Sequence, residues 1–148
     1  MKIYLDVCCL CRPFDNHDAT RIRLEAAAVL EIIGRCARDW ELVSSTAILY
    51  EIGSITDPMK RTSVIQLTGR AKEMIRVDAE LLSRADAIEA TGVMGMDAIH
   101  LACAEKAGAI FLTTDDEVIR IMKAHSQDIS ARVDNPLHWL TEVNLNGE

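Results

Sequence analysis

The sequence predicts an α/β fold in which a mostly parallel sheet carries helices on both faces. Three observations point there. Apolar runs of strand length alternate with longer amphipathic runs, the joints are punctuated by Asp-Pro, Gly and Asn-Pro, and no repeat, linker or low-complexity tract interrupts the series. A chain of 148 residues fits a single domain, 1–148, and a domain of that size buries roughly two thirds of the surface its unfolded chain exposes.

Residues 2–10 read as a central strand, because Ile3, Leu5 and Val7 alternate while their neighbours are also apolar. The run Arg12-Pro13-Phe14-Asp15-Asn16 has turn chemistry, and Asp18 stands where a helix cap is needed. Ile22, Ala26, Val29, Ile33 and Ala37 then mark one face of a helix that ends near Arg38 and Asp39. A second strand at 40–44 follows, with Ser45 or Thr46 capping the helix that carries Glu51. Asp57-Pro58 joins a good cap to a residue suited to the first helical position, and helical stretches are expected to about Gly69 and again over 70–74. Asp78 caps another helix, ending near Gly92. Residues 96–107 form a helix apolar on nearly every side; Gly108 ends it, and a buried strand at 109–113 precedes a helix over 116–124. An edge strand at 129–133 and a last helix opened by Asn135-Pro136 complete the series.

Composition narrows the class. With 49% hydrophobic and 26% charged residues the chain lies in the globular range, and 4% aromatic content calls for an aliphatic, alanine-rich core. No uncharged apolar run approaches the roughly 18 residues of a membrane span, and Asp6 interrupts the first apolar stretch, so a cytoplasmic protein without a membrane partner is expected. The five cysteines are odd in number, with Cys8, Cys9 and Cys11 crowded together, which predicts reduced thiols; Cys9 and Cys11 lack partners at zinc-site spacing. A net charge of −7 argues against a generally basic nucleic-acid surface. The segment 57–76 departs from that balance, carrying Lys60, Arg61, Arg70, Lys72 and Arg76 against Asp57 and Glu73. It is either a solvated helix face or a surface that touches phosphates.

In folds of this class the working groups collect beyond the carboxyl ends of the strands. Asp6 lies inside the first apolar run, where an ionised group needs a partner. Asp115 closes the Phe111-Leu112-Thr113-Thr114 run, Asp97 sits in the first turn of the apolar helix, and Glu51 lies in the helix after the second strand. Two carboxylates about 4 Å apart repel by about 4 kcal/mol at an effective dielectric near 20, so four around one cleft need a cation. An all-oxygen set suits a hard ion such as Mg²⁺, which lowers the pKa of bound water and stabilises charge on a phosphoryl oxygen. Each acid also has a plainer role: Asp97, Asp115 or Asp116 as a helix cap, Glu51 as a surface acid. As Asp115 and Asp116 are adjacent, one can cap while the other binds metal. His100, one turn from Asp97, reads more readily as a hydrogen-bonded core histidine than as a ligand.

Taken in order, Tyr4-Leu5-Asp6, Tyr50-Glu51-Ile52, Asp97-Ala98-Ile99-His100-Leu101-Ala102 and Phe111-Leu112-Thr113-Thr114-Asp115 resemble the PIN-domain nucleases, specifically the VapC-type toxins of toxin-antitoxin pairs. The Arg12-Pro13-Phe14-Asp15 turn and Asn135-Pro136-Leu137 look like one branch of that family. The resemblance implies a three-layer α/β/α sandwich with a mostly parallel sheet of four to five strands, Mg²⁺ or Mn²⁺, cleavage of RNA, a homodimer and a cognate antitoxin. It assigns the metal-holding and catalytic acids to Asp6, Glu51, Asp97 and Asp115, with Thr113 as the hydroxyl that orients the last of them and Asp116 or Glu117 as a further acid. Phosphate contacts would come from Arg12, Lys60, Arg61, Arg70 and Lys72. Val7 and Cys8 depart from the pattern, standing where a small hydroxyl residue and a polar residue usually follow the first acid. That departure keeps open a catalytically silent module that binds protein partners. Phosphoryl transfer through Asp6 as nucleophile is a weaker reading, because Cys8 occupies the place of the second acid such chemistry wants.

Overall fold

A computed structural model of the chain describes residues 1–147. Five strands, β1 (Lys2–Leu5), β2 (Glu41–Ser45), β3 (Glu73–Ile75), β4 (Ile110–Leu112) and β5 (Val133–Asp134), form one sheet in the order β3-β2-β1-β4-β5. Every pairing is parallel. Among the described residues eight α-helices flank it: α1 (Val7–Cys11), α2 (Thr20–Cys36), α3 (Thr46–Ile52), α4 (Pro58–Thr68), α5 (Ala79–Glu89), α6 (Met96–Ala107), α7 (Asp116–Ala124) and α8 (Pro136–Leu145). This is the α/β/α sandwich the sequence predicts, with the parallel sheet at its centre. Among the described residues no helix is long and apolar enough to cross a membrane.

Local chemistry explains most element ends. Ser45, Asp57, Asp78, Asp115 and Asn135 each accept backbone N–H groups at the start of α3, α4, α5, α7 and α8. Gly108 closes α6 with φ at 67°, a left-handed conformation that only glycine adopts freely. Core packing is aliphatic, with Ala98, Ala102, Ala104 and Ala107 letting α6 approach its neighbours and Tyr4 stacking on Phe111 at 5.7 Å.

Four expectations need correction. The first strand stops at Leu5, and the run after it turns into α1. Asp6 donates its N–H to the Leu112 carbonyl, completing the ladder, while its own carbonyl accepts from Cys9 and Leu10. Five apolar residues in a row carry no periodicity to tell helix from strand. Residues 70–74 are not helical, since β3 pairs beside β2 and this tertiary pairing overrides the helical preference of Glu and Met. Asp18 does not cap α2; Ala19 holds that position, and the Asp18 N–H is donated to Asn16 Oδ1. The last edge strand is Val133–Asp134 rather than 129–133, because only these residues reach register with Phe111 and Leu112.

A buried carboxylate ties the carboxyl-end loops together. Glu25 on α2, 1% exposed, accepts from Arg12 at 2.9 Å, Arg21 at 3.1 Å and Asn135 at 2.6 Å. Arg21 also reaches across to both Asp116 oxygens at 2.8 Å and to the Thr114 carbonyl at 3.1 Å. The chain segments before α2, after β4 and before α8 are therefore held by one network, Glu25 with Arg21. Removing one partner of such a buried pair strands the other charge. Glu25→Ala should lower unfolding stability by about 3 kcal/mol in urea titrations, more than any loss from Glu31→Ala on the exposed face of the same helix.

Candidate functional site

β1 and β4 are adjacent, with Leu5 opposite Leu112, so Asp6 and Thr113 emerge side by side at the carboxyl edge. The sheet order reverses between these two strands, and in open α/β sheets that crevice is where ligands bind. Asp6 is 5% exposed. Its Oδ1 accepts from the Val7 N–H at 2.8 Å, and its Oδ2 from the Thr113 hydroxyl at 2.9 Å and the Cys8 thiol at 3.4 Å. The Thr113 oxygen in turn accepts the Asp115 N–H at 3.1 Å. One hydroxyl thus links the acid after β1 to the acid after β4. Cys8 also explains how the chain manages with Val7. The valine is buried in the core, and the next residue supplies the donor on Asp6.

Glu51 approaches from α3 and Asp97 from the first turn of α6. An Asp6 oxygen, a Glu51 oxygen and a His100 ring nitrogen lie within 4.8 Å of one another. Burial pushes the Asp97 carboxyl up to about 6, and the charges of Asp6, Asp115 and Glu51 push it the same way. Burial also raises Asp6, with Glu51 adding to it, while His100, Thr113 and Cys8 oppose. Asp97 thus feels the charge of the other three acids, although neither it nor Asp115 brings an oxygen into the tight group formed by Asp6, Glu51 and His100. No lysine or arginine is among the strongest influences on Asp6 or Asp97, and His100 opposes the rise of both.

The outer acids are different. Arg21 takes both oxygens of Asp116, and Arg120 pairs with Glu117; both acids are exposed. Neither is free to join the cluster as the further acid without giving up its arginine. Asp115 caps α7 through Oδ1, which leaves its other oxygen unused by the cap. Among the basic residues, Arg12 is bound to Asp15 and Glu25, Lys60 to Asp15 at 2.7 Å, and Arg61 to the Ile55 carbonyl. Arg70 and Lys72 lie apart from these. They precede β3, where the Lys72 N–H bonds to Leu42 near the start of β2, so they sit at the end of the sheet opposite the acids.

The donor set fits a hard divalent ion: the Asp6 and Glu51 oxygens converge, the Asp6 and Asp97 carboxyls are held above their ordinary range, and no lysine or arginine is among the strongest influences on either. Asp6, Glu51, Asp97 and Asp115 are the groups that would hold it. Sequence reasoning gave no role beside these acids to Tyr4, Ser45, Cys8, Arg21 or Glu25, which bond to them or to their partners. Only the three-residue spacing of Asp97 and His100, placing both on one helix side, hinted at any of this.

A carboxyl whose folded-state pKa is raised favours the fold most below its unfolded value and loses that contribution as pH rises through about 6. Metal-free protein should accordingly lose thermal stability between about pH 4.5 and about pH 7. Asp97→Asn should lose less over the same range in calorimetry, and an equal loss would show that Asp97 carries no such strain.

The structure is similar to several solved proteins. VapBC2 from Rickettsia felis, bound to a DNA fragment from the promoter, matches with a TM-score of 0.60 at 14% identity, over 91% of this chain and 98% of that one. FitAcB from Neisseria gonorrhoeae matches at 0.59 and 16% identity, over 93% and 99%. FitAB bound to an IR36 DNA fragment gives 0.59 and 16%, over 93% and 96%. At such identities these likenesses speak for the fold. No curated protein sequence matches the chain. The PIN domain family model matches residues 3–124, spanning all four acids of the cluster, and the chain therefore belongs to the PIN domain family.

Proposed function

We propose that this chain is a divalent-metal-dependent endoribonuclease and the toxin of a toxin-antitoxin pair, with residues 1–148 acting as one domain. The observation that carries the reading is the approach of the Asp6 and Glu51 oxygens beside Asp97, whose carboxyl is raised by burial and by the charges of Asp6, Asp115 and Glu51, with no lysine or arginine among its strongest influences. Family membership supports hydrolysis of phosphodiester bonds, and similarity to toxin-antitoxin complexes supports an antitoxin partner.

Mg²⁺ or Mn²⁺ held there would supply an activated water and neutralise charge on a phosphoryl oxygen. The protein's part is positional. Asp6 is fixed by three donors, Thr113 couples it to Asp115, and Glu51 is anchored by His100 at 2.9 Å. The outer charges are neutralised among themselves, so their arginines do not compete for the inner acids. From the basic segment, Arg61 and Arg76 are the groups proposed to meet RNA phosphates; Arg12 and Lys60 would first have to leave Asp15 and Glu25. A homodimer and a cytosolic setting complete the proposal.

The silent-module alternative rested on Val7, and the Cys8 thiol on Asp6 weakens its motive. Purified protein with Mn²⁺ should cleave single-stranded RNA. Asp6→Asn and Asp97→Asn should each lower the rate by about 100-fold or more while leaving the melting profile folded. Equal cleavage by wild type and both variants would sink the enzyme reading.

A further inference from the structure

A line of buried side chains runs from the sheet core to the acids. The Ser45 hydroxyl meets the Tyr4 hydroxyl at 2.7 Å, Tyr4 meets His100 Nδ1 at 2.6 Å, and His100 Nε2 meets Glu51 Oε1 at 2.9 Å. Tyr4, Ser45 and His100 are all 0% exposed, whereas the Glu51 side chain is a third exposed. The line therefore ends at the cleft.

Donor counting gives it a direction. Ser45 Oγ already accepts the Ile48 N–H at 3.0 Å, so its own proton is free for the Tyr4 oxygen. Tyr4 then donates to His100 Nδ1. A carboxylate only accepts, so His100 must present a proton at Nε2. In a neutral imidazole the reverse arrangement would set a bare ring nitrogen against the Glu51 oxygen. With both ring nitrogens engaged, His100 is no metal ligand despite its place in the cluster.

We propose that Tyr4 and His100 are positioning residues: the phenol buried in β1 fixes His100 as the Nε2–H tautomer, and His100 pins one Glu51 oxygen so that the other serves the metal. The inference rests on the metal-centre reading and adds the residues that set the ligand. Partners of this kind orient a ligand and typically alter metal affinity by 10–100-fold when removed.

The test measures Mn²⁺ binding by thermal shift and calorimetry on the full chain, beside RNA cleavage as a function of Mn²⁺. Tyr4→Phe keeps the ring stacked on Phe111 and removes only the hydroxyl. It should raise the Mn²⁺ concentration for half-maximal stabilisation and for half-maximal cleavage about tenfold. His100→Gln, which retains a donor toward Glu51, should fall between Tyr4→Phe and His100→Ala. ¹⁵N NMR of wild type should show His100 protonated at Nε2 alone, and a mixture in Tyr4→Phe. Wild-type Mn²⁺ dependence in both Tyr4→Phe and His100→Ala, or an Nδ1-protonated His100 in wild type, overturns the relay while leaving the metal centre standing. Failure of wild type to bind Mn²⁺ overturns both.

Discussion

Adjacent parallel pairing of β1 and β4 is the constraint on which the rest of this structure depends. It delivers Asp6 and Thr113 to the same point at the switch in sheet order, and a single hydroxyl then bonds both Asp6 and the amide of Asp115. Without that pairing, acids separated by more than a hundred residues would have no reason to meet. With it, negative charge accumulates where burial makes it expensive, as the raised Asp6 and Asp97 carboxyls record.

Positive charge is distributed in a way that preserves this tension. Arg12 and Lys60 neutralise Asp15, Arg12 and Arg21 neutralise Glu25, and Arg21 also holds Asp116. Through Asp116 and the Thr114 carbonyl, Arg21 also braces the segment on either side of Asp115. The inner acids receive only neutral donors and His100. A fold seeking stability alone would have placed an arginine among them. The observed arrangement fits the cation site proposed above, in which ligand repulsion would be relieved by an ion.

Two layers of support differ in character. The Glu25 network is ionic and fastens backbone segments. The Ser45–Tyr4–His100–Glu51 line is neutral until its last member and sets the orientation of one side chain. Both are built from residues on different elements, which explains why neither shows as a motif.

The sequence by itself determined the alternation of strands and helices, the caps at Ser45, Asp57, Asp78, Asp115 and Asn135, the stop at Gly108 and the resemblance carried by Asp6, Glu51, Asp97 and Asp115. These depend on contacts within a few residues, where side-chain type and spacing are enough. Tertiary structure alone decided that the run after Leu5 becomes helix and that 73–75 joins β2. It also decided that Asp116 and Glu117 are taken by arginines, that Arg70 and Lys72 sit at the far end of the sheet, and that Cys8 stands in for the missing hydroxyl. The reason is common to all of them: each outcome is set by a partner distant in sequence, and pairing across the sheet or across the cleft outweighs the weak preference of a short segment.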